Sequence, residues 1–169
     1  MEENPGLDRK VLHVDDDPDI LAIVGHSLSK RGYKPHSITD PELAMPWLAD
    51  CSTRIVLLDI EMPGKDGLTL LQEIKKFDGG IQVIMLTGLV SMGTIIRTTR
   101  LGALDCFFKP IDQIEAVMGS VDQAYLKLER WRQVLQEWKL RRNNDGVVKD
   151  SRIQIPEISL DLMRPLKSV

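Results

Sequence analysis

Cysteine is scarce in this chain of 169 residues, and the two present, Cys51 and Cys106, match no metal-ligand spacing, which excludes a cysteine-built metal centre. Basic residues are not in excess: 22 Lys and Arg stand against 25 Asp and Glu, for a formal net charge of −3. Such a balance supplies no positive field to draw in DNA or an anionic membrane surface, so direct nucleic-acid binding and membrane association are not expected. No apolar run approaches the length of a signal peptide or a membrane span. Together these absences point to a protein of the reduced cytoplasm. The length suits one globular core plus an appendage and is short for two full domains.

What the chain does contain is an alternation. Five β-type runs, "KVLHV", "YKPHSI", "RIVLL", "IQVIML" and "LDCFF", are separated by amphipathic helical stretches from Lys10 onward. Asp17 can cap the first helix with Pro18 at its first position, and Gly32 marks its end. Pro41 anchors the second helix, the turn of Gly64 and Gly67 in "PGKDG" precedes the third, and the fourth runs from about Ser91 to Gly102. Strands and helices in this order predict a parallel sheet with right-handed crossovers, a doubly wound α/β sandwich of five strands.

Ligands of such sheets gather beyond the carboxyl ends of the strands. There the sequence places Asp15 and Asp16 after the first strand, Asp59 at the third, Thr87 at the fourth and Lys109 at the fifth. Two carboxylates about 5 Å apart repel by roughly 3 kcal/mol at an effective dielectric near 20, so a cluster of this kind needs compensation. Carboxylates without His or Cys beside them suit a hard, oxygen-seeking cation such as Mg²⁺, completed by phosphate. A carboxylate can then attack phosphorus to form an acyl phosphate, while an ammonium and a hydroxyl neutralise the phosphoryl oxygens. Lys109 and Thr87 have the chemistry for these two roles. Any one of these acids alone reads as a helix cap or a solvated loop residue; the coincidence across four strands carries the inference.

The elements "VDDD", "LLDIEMPGKDG", "MLTG" and "FFKP" resemble, at the matching strand ends, the receiver domain of bacterial two-component response regulators, over residues 8 to 128. The resemblance implies the flavodoxin-like strand order 2-1-3-4-5, for which the chemotaxis receiver is a standing example. It implies that Asp59 accepts a phosphoryl group from a phosphohistidine on a histidine kinase or phosphotransfer protein. Asp16 resembles a direct Mg²⁺ ligand and Asp15 a ligand acting through water, with the backbone carbonyl of Glu61 and Asp59 itself completing the set. Thr87 and Lys109 resemble the switch hydroxyl and the lysine that contact the bound phosphoryl group. The Lys109–Pro110 bond is expected to be cis. Glu61 and Leu89 occupy the two positions that flank the path of hydrolytic water in this family.

One position departs from the family pattern. Three residues before Lys109 the family carries an aromatic ring that rotates inward on activation, whereas this chain has Cys106. Phe108 lies on the same strand face by alternation and could stand in for it. For Cys106 itself, a redox role competes with that of a small buried filler, and the filler is the favoured reading.

Beyond the fifth strand, residues 112–142 hold no Pro and a single Gly, Gly119, and predict one long helix. Ile114, Val117, Val121, Ala124, Leu128, Trp131, Leu135 and Trp138 alternate three and four apart, a heptad seam. A receiver core of residues 8–122, within a domain of 1–128, needs only the first half of that helix. The second half is expected to pair as a coiled coil in a homodimer or to dock on a partner, the surface of the fourth and fifth helices being a second dimer candidate. "RIQIPEISLDLMRPL", in the tail of residues 143–169, fits an edge strand, a partner-binding segment or disorder. The tail has no room for a helix-turn-helix, cyclase or hydrolase motif, so an attached output domain is not expected within this chain.

Three functions compete. A phosphorylation-controlled switch, which catalyses only its own phosphorylation and dephosphorylation, uses every residue of the cluster. A haloacid-dehalogenase-type phosphatase would place its nucleophile within Asp15–Asp17, but Pro18 and Asp19 stand where that class has its Thr. A phosphorylation-independent dimerising scaffold would have no use for so repulsive a cluster.

Overall fold

The structure, a computed structural model, describes residues 7–144. Five parallel strands form one sheet: β1 (Lys10–Val14), β2 (Lys34–Ile38), β3 (Ile55–Asp59), β4 (Gln82–Thr87) and β5 (Asp105–Phe108), in the order β2-β1-β3-β4-β5. The helices are α1 (Pro18–Lys30), α2 (Ala44–Asp50), α3 (Gly67–Phe77), α4 (Met92–Arg100) and α5 (Ile114–Asn144), with a 3₁₀ turn at Pro41–Leu43 before α2. The expected doubly wound, flavodoxin-like architecture is therefore present, with its extended last helix.

Local chemistry explains the element starts. Asp17 accepts the Asp19 N–H at 2.9 Å with Pro18 at the first helical position, and Asp66 accepts the Leu68 N–H at 3.1 Å. Ser91 accepts the Thr94 N–H at 3.0 Å. Each satisfies a backbone donor that the first helical turn leaves unpaired.

β3 and β4 are buried on both faces, as a parallel sheet between two helical layers requires. Val56, Leu58, Val83 and Met85 face α2 and α3, meeting Leu48, Leu70, Leu71 and Ile74. Ile55, Leu57, Ile84 and Leu86 face α1 and α5, meeting Val24, Leu28, Val117 and Val121. The register pairs Asp59 with Leu86 and Thr87 with Phe108, bringing the carboxyl ends of β3, β4 and β5 to one rim.

α5 is fastened to the other end of the α1–β2 unit by a polar cluster. Arg31 pairs with Asp122 and Glu115, and Tyr33 donates its hydroxyl to Asp122 at 2.7 Å. The Arg9 guanidinium lies 4.4 Å from the Tyr33 ring and 4.6 Å from that of Tyr125. Only part of the heptad seam is used here. Val117, Val121, Ala124 and Leu128 are buried in the core, whereas Trp131, Leu135 and Trp138 are 46%, 43% and 47% exposed. The tail segment "RIQIPEISLDLMRPL" lies outside the described residues.

Candidate functional site

The rim residues singled out by the sequence converge. Carboxylate oxygens of Asp15, Asp16 and Asp59 lie within 4.8 Å of one another, Asp15 and Asp59 buried and Asp16 exposed. Lys109 Nζ donates to Oδ2 of Asp59 at 2.8 Å. It also stands 2.8 Å from Oδ2 of Asp15, an ion pair whose geometry leaves that buried oxygen without an aligned donor. Part of the compensation that the acid cluster needs is thus an ammonium between two of the acids.

The acids differ in their surroundings. Burial is the largest influence on Asp15 and lifts its carboxyl above the usual range, and the Asp59 charge adds to the rise. Lys109 and the Asp17 N–H, which Asp15 Oδ1 accepts at 3.0 Å, pull the other way without cancelling it. For Lys109, burial opposes the charged form, but the hydrogen bonds and charges of Asp15 and Asp59 outweigh it and hold the ammonium above its ordinary range. Oδ1 of Asp59 accepts the N–H groups of Ile60 at 2.7 Å and Glu61 at 3.4 Å. Among the described residues, its Oδ2 has the Lys109 ammonium as its hydrogen-bond partner.

Thr87 is fully buried, and its Oγ1 accepts the Leu89 N–H at 3.0 Å, which leaves the hydroxyl proton available as a donor. Glu61 is exposed, and its Oε2 lies 3.0 Å from where a Cβ on Gly88 would stand, so it overhangs the loop after β4. Leu89 is 44% exposed beside it. The Lys109–Pro110 bond is cis, as expected. Asp17 stays outside the acidic group as the α1 cap. A dehalogenase-type pairing of Asp15 with Asp17 thus finds its second acid already employed.

The donor set fits a divalent cation that prefers oxygen: three carboxylates, no imidazole or thiolate, and one buried oxygen, Asp15 Oδ2, lacking an aligned donor.

Two features were not legible as site elements. Gly67, which the sequence reads as a turn residue, has no positive φ; a Cβ there would stand 1.9 Å from the Asp59 carbonyl oxygen, so α3 starts in backbone contact with the acceptor strand. Its N–H donates to the Ile60 carbonyl at 2.9 Å. The true turn glycine is Gly64, at φ +85°. His13, two residues before Asp15, is fully buried with both ring nitrogens unpaired among the described residues. A histidine inside an apolar strand was the only sequence signal for it.

Cys106 is half-buried, packs beside the α2–α3 core layer and hydrogen-bonds Thr98 of α4. Burial pushes its thiol up, which opposes thiolate formation and agrees with the filler reading.

Residues 11–118 match the family described as response regulator receiver domain. The chain is 32% identical over 123 residues to sporulation initiation phosphotransferase F of Bacillus subtilis, covering 73% of this chain and 98% of that one. It is 30% identical over 161 residues to nitrogen assimilation regulatory protein NtrX of Azorhizobium caulinodans, covering 94% of this chain but 35% of that protein. It spans a similarly small share, 26%, of the Escherichia coli regulatory protein AtoC. The receiver domain of NtrX from Brucella abortus superposes with a TM-score of 0.64 at 33% identity, over 68% of this chain and 97% of that one. The matching strand order, the acid, hydroxyl and lysine rim and these relatives agree: the chain belongs to the response regulator receiver domain family.

Proposed function

We propose that this protein is a phosphorylation-controlled signalling switch of the cytoplasm in which Asp59 accepts a phosphoryl group from a phosphohistidine on a histidine kinase or phosphotransfer protein. The observation that carries the proposal is the position of Lys109 Nζ, 2.8 Å from both Asp15 and Asp59, at a rim where Asp16 and Thr87 also end. Asp59 Oδ2 is the attacking atom, because Oδ1 is held by two backbone N–H groups. As the Oδ2–phosphorus bond forms, the phosphorus–nitrogen bond breaks and the imidazole leaves with the electron pair. Lys109 then moves from the Asp59 oxygen to a phosphoryl oxygen, and the Thr87 hydroxyl donates to another. Asp15, Asp16, Asp59 and the Glu61 carbonyl would hold Mg²⁺, which when bound supplies positive charge against the acids and the transferred group. Glu61 and Leu89, at the mouth of the site, set how readily water reaches the acyl phosphate.

The protein acts on no other substrate in this reading: it catalyses only its own phosphorylation and dephosphorylation, and its output is a binding event. Residues 1–128 form the receiver unit, residues 112–142 its last helix, and the exposed stripe of Trp131, Leu135 and Trp138 pairs with a second copy. The face of α4 and α5 is the other surface available for pairing. Neither DNA nor a membrane is a direct partner; among the described residues no helix is long and apolar enough to cross a bilayer.

Intact mass after incubation with acetyl phosphate and Mg²⁺ tests the proposal. The expected result is a gain of one phosphoryl group, lost with a chelator and lost in Asp59→Asn. A gain that survives Asp59→Asn, or no gain from acetyl phosphate or from any phosphorylated histidine donor, would overturn it.

A further inference from the structure

At the pole opposite the acidic rim, an open pocket of about 440 Å³ forms where α5 passes the ends of α3 and α4. Three cations line it from three different helices: Lys75 of α3, Arg100 of α4 and Lys127 of α5. No carboxylate is among its lining residues. Lys75 donates to the Ile81 carbonyl and Lys127 to Oε1 of Gln82 at 3.1 Å, both neutral acceptors, and Arg100 has no ion pair among the described residues. The positive charge is thus left uncompensated. Leu101, Leu104 and the Trp131 indole supply an apolar wall, the Trp131 ring centroid lying 5.2 Å from Lys127 Nζ.

We infer that this pocket binds a small phosphate-bearing organic molecule, its phosphate held by Lys75, Arg100 and Lys127 and its flat or apolar portion set against Trp131. Charge alone would suit inorganic phosphate, but the volume falls in the range of about 300–1,000 Å³ typical of small-molecule sites and far exceeds one phosphate. An indole beside ammonium groups adds a surface on which a planar ring can stack. Burial first, and then repulsion from the Lys127 charge, hold the Lys75 ammonium below its ordinary range. An anion between them relieves that repulsion, so the pocket is electrostatically prepared for one. The site shares no residue with the acidic rim and is independent of the reading given for Asp59; it shares Trp131 with the seam proposed for pairing, using the ring face that Lys127 covers.

The test is a titration of the full chain with adenosine 5′-monophosphate, followed by ¹H–¹⁵N NMR at the Trp131 indole and the Gly102 and Ala103 amides, with pyrophosphate and adenosine as separate arms. Expected are saturable shifts confined to the pocket, with the monophosphate tighter than pyrophosphate, which lacks the ring, and than adenosine, which lacks the charge. Lys127→Gln combined with Arg100→Gln should weaken binding about tenfold or more, since hydrogen bonds to charged groups are lost. The same variant should keep the native ¹H–¹⁵N amide pattern away from the pocket, which checks that it folds. Shifts that do not saturate, that map elsewhere, that persist unchanged in the double variant or that adenosine reproduces would overturn the inference. It is equally overturned if the monophosphate moves nothing while Asp145→Asn and Asp150→Asn do, because the pocket would then be taken by the chain's own acidic segment.

Discussion

Replacing Asp15 by Asn should stabilise the metal-free protein, although it removes a member of an ion pair. Oδ2 of Asp15 lies 2.8 Å from Lys109, and at an effective dielectric near 20 the loss of that attraction costs about 6 kcal/mol. Against this stands the repulsion from Asp59, at least about 3.5 kcal/mol for carboxylate oxygens within 4.8 Å at the same dielectric. Asp16 repels as well, but it is exposed and therefore screened. The deciding quantity is the removal of a fully buried carboxylate from water, which costs several kcal/mol and which the amide avoids. Asn keeps an oxygen for the Asp17 N–H. The net expectation is a gain of about 1–2 kcal/mol in urea denaturation with chelator present. In the native protein Mg²⁺ should raise the midpoint, and Asp15→Asn should lose most of that rise. Lys109→Met gives the opposite sign, a loss of about 3 kcal/mol, because two buried acids then face each other without the ammonium. If Asp15→Asn instead lowers stability by about 2 kcal/mol in chelator, the ion pair outweighs burial and the account of this cluster is refuted.

Gly67→Ala should cost about 3 kcal/mol, at the upper end of overpacking effects, since its Cβ would press on the Asp59 carbonyl at 1.9 Å and part α3 from β3; calorimetry showing an unchanged Tm would refute the contact. His13, held by burial and then by the Lys109 charge at a pKa of about 3 rather than 6.5, stays neutral in the fold while the unfolded chain takes up a proton below pH 6.5. Stability should therefore fall as pH drops from 6.5 towards 3, by about 2 kcal/mol at pH 5, and a His13→Leu variant should lack this component when its pH profile is compared with that of the native chain. Pairing of two copies through Trp131, Leu135 and Trp138 should strengthen with salt, because Lys127, Lys139 and Arg141 flank the seam and repel their counterparts, whereas Arg132 is already paired with Glu129. Light scattering across concentration would show a monomer throughout if that pairing does not occur.

The sequence made the strand ends readable because each ends in a polar residue after an apolar run: Val14 before Asp15, Leu58 before Asp59, Leu86 before Thr87. Asp17–Pro18 and Ser91 announced helix starts by the same hydrogen-bonding chemistry that the structure shows. Strand order was a different matter, since no periodicity says that β1 lies between β2 and β3; it followed from the resemblance. The heptad pattern alone could not show where the core ends along the last helix; the division into a first half for the domain and a second half beyond it came from the resemblance. The heptad spacing is continuous from Val117 to Trp138, yet its first half serves the domain's own core, and spacing cannot tell a neighbouring sheet from a neighbouring helix. Gly67 was misassigned because sequence shows that a side chain is missing but not what occupies the space. Lys75, Arg100 and Lys127 gave no signal, and Trp131 gave one only as a seam residue; the packing of three helix ends draws them together.

The continuity of α5 has a mechanical consequence. From Leu128, the last of its buried positions, to Asn144 the helix runs on for about 24 Å at 1.5 Å per residue, with no Pro or Gly after Gly119 to absorb bending. Its rooted half rests on Ile84 and Leu86 of the strand that ends in Thr87. The far half is then a lever arm: a tilt of about 5° at the root, too small to break a side-chain contact there, displaces the tip by about 2 Å. A tilt of that size at the root would thereby be magnified at a surface far from the acidic rim.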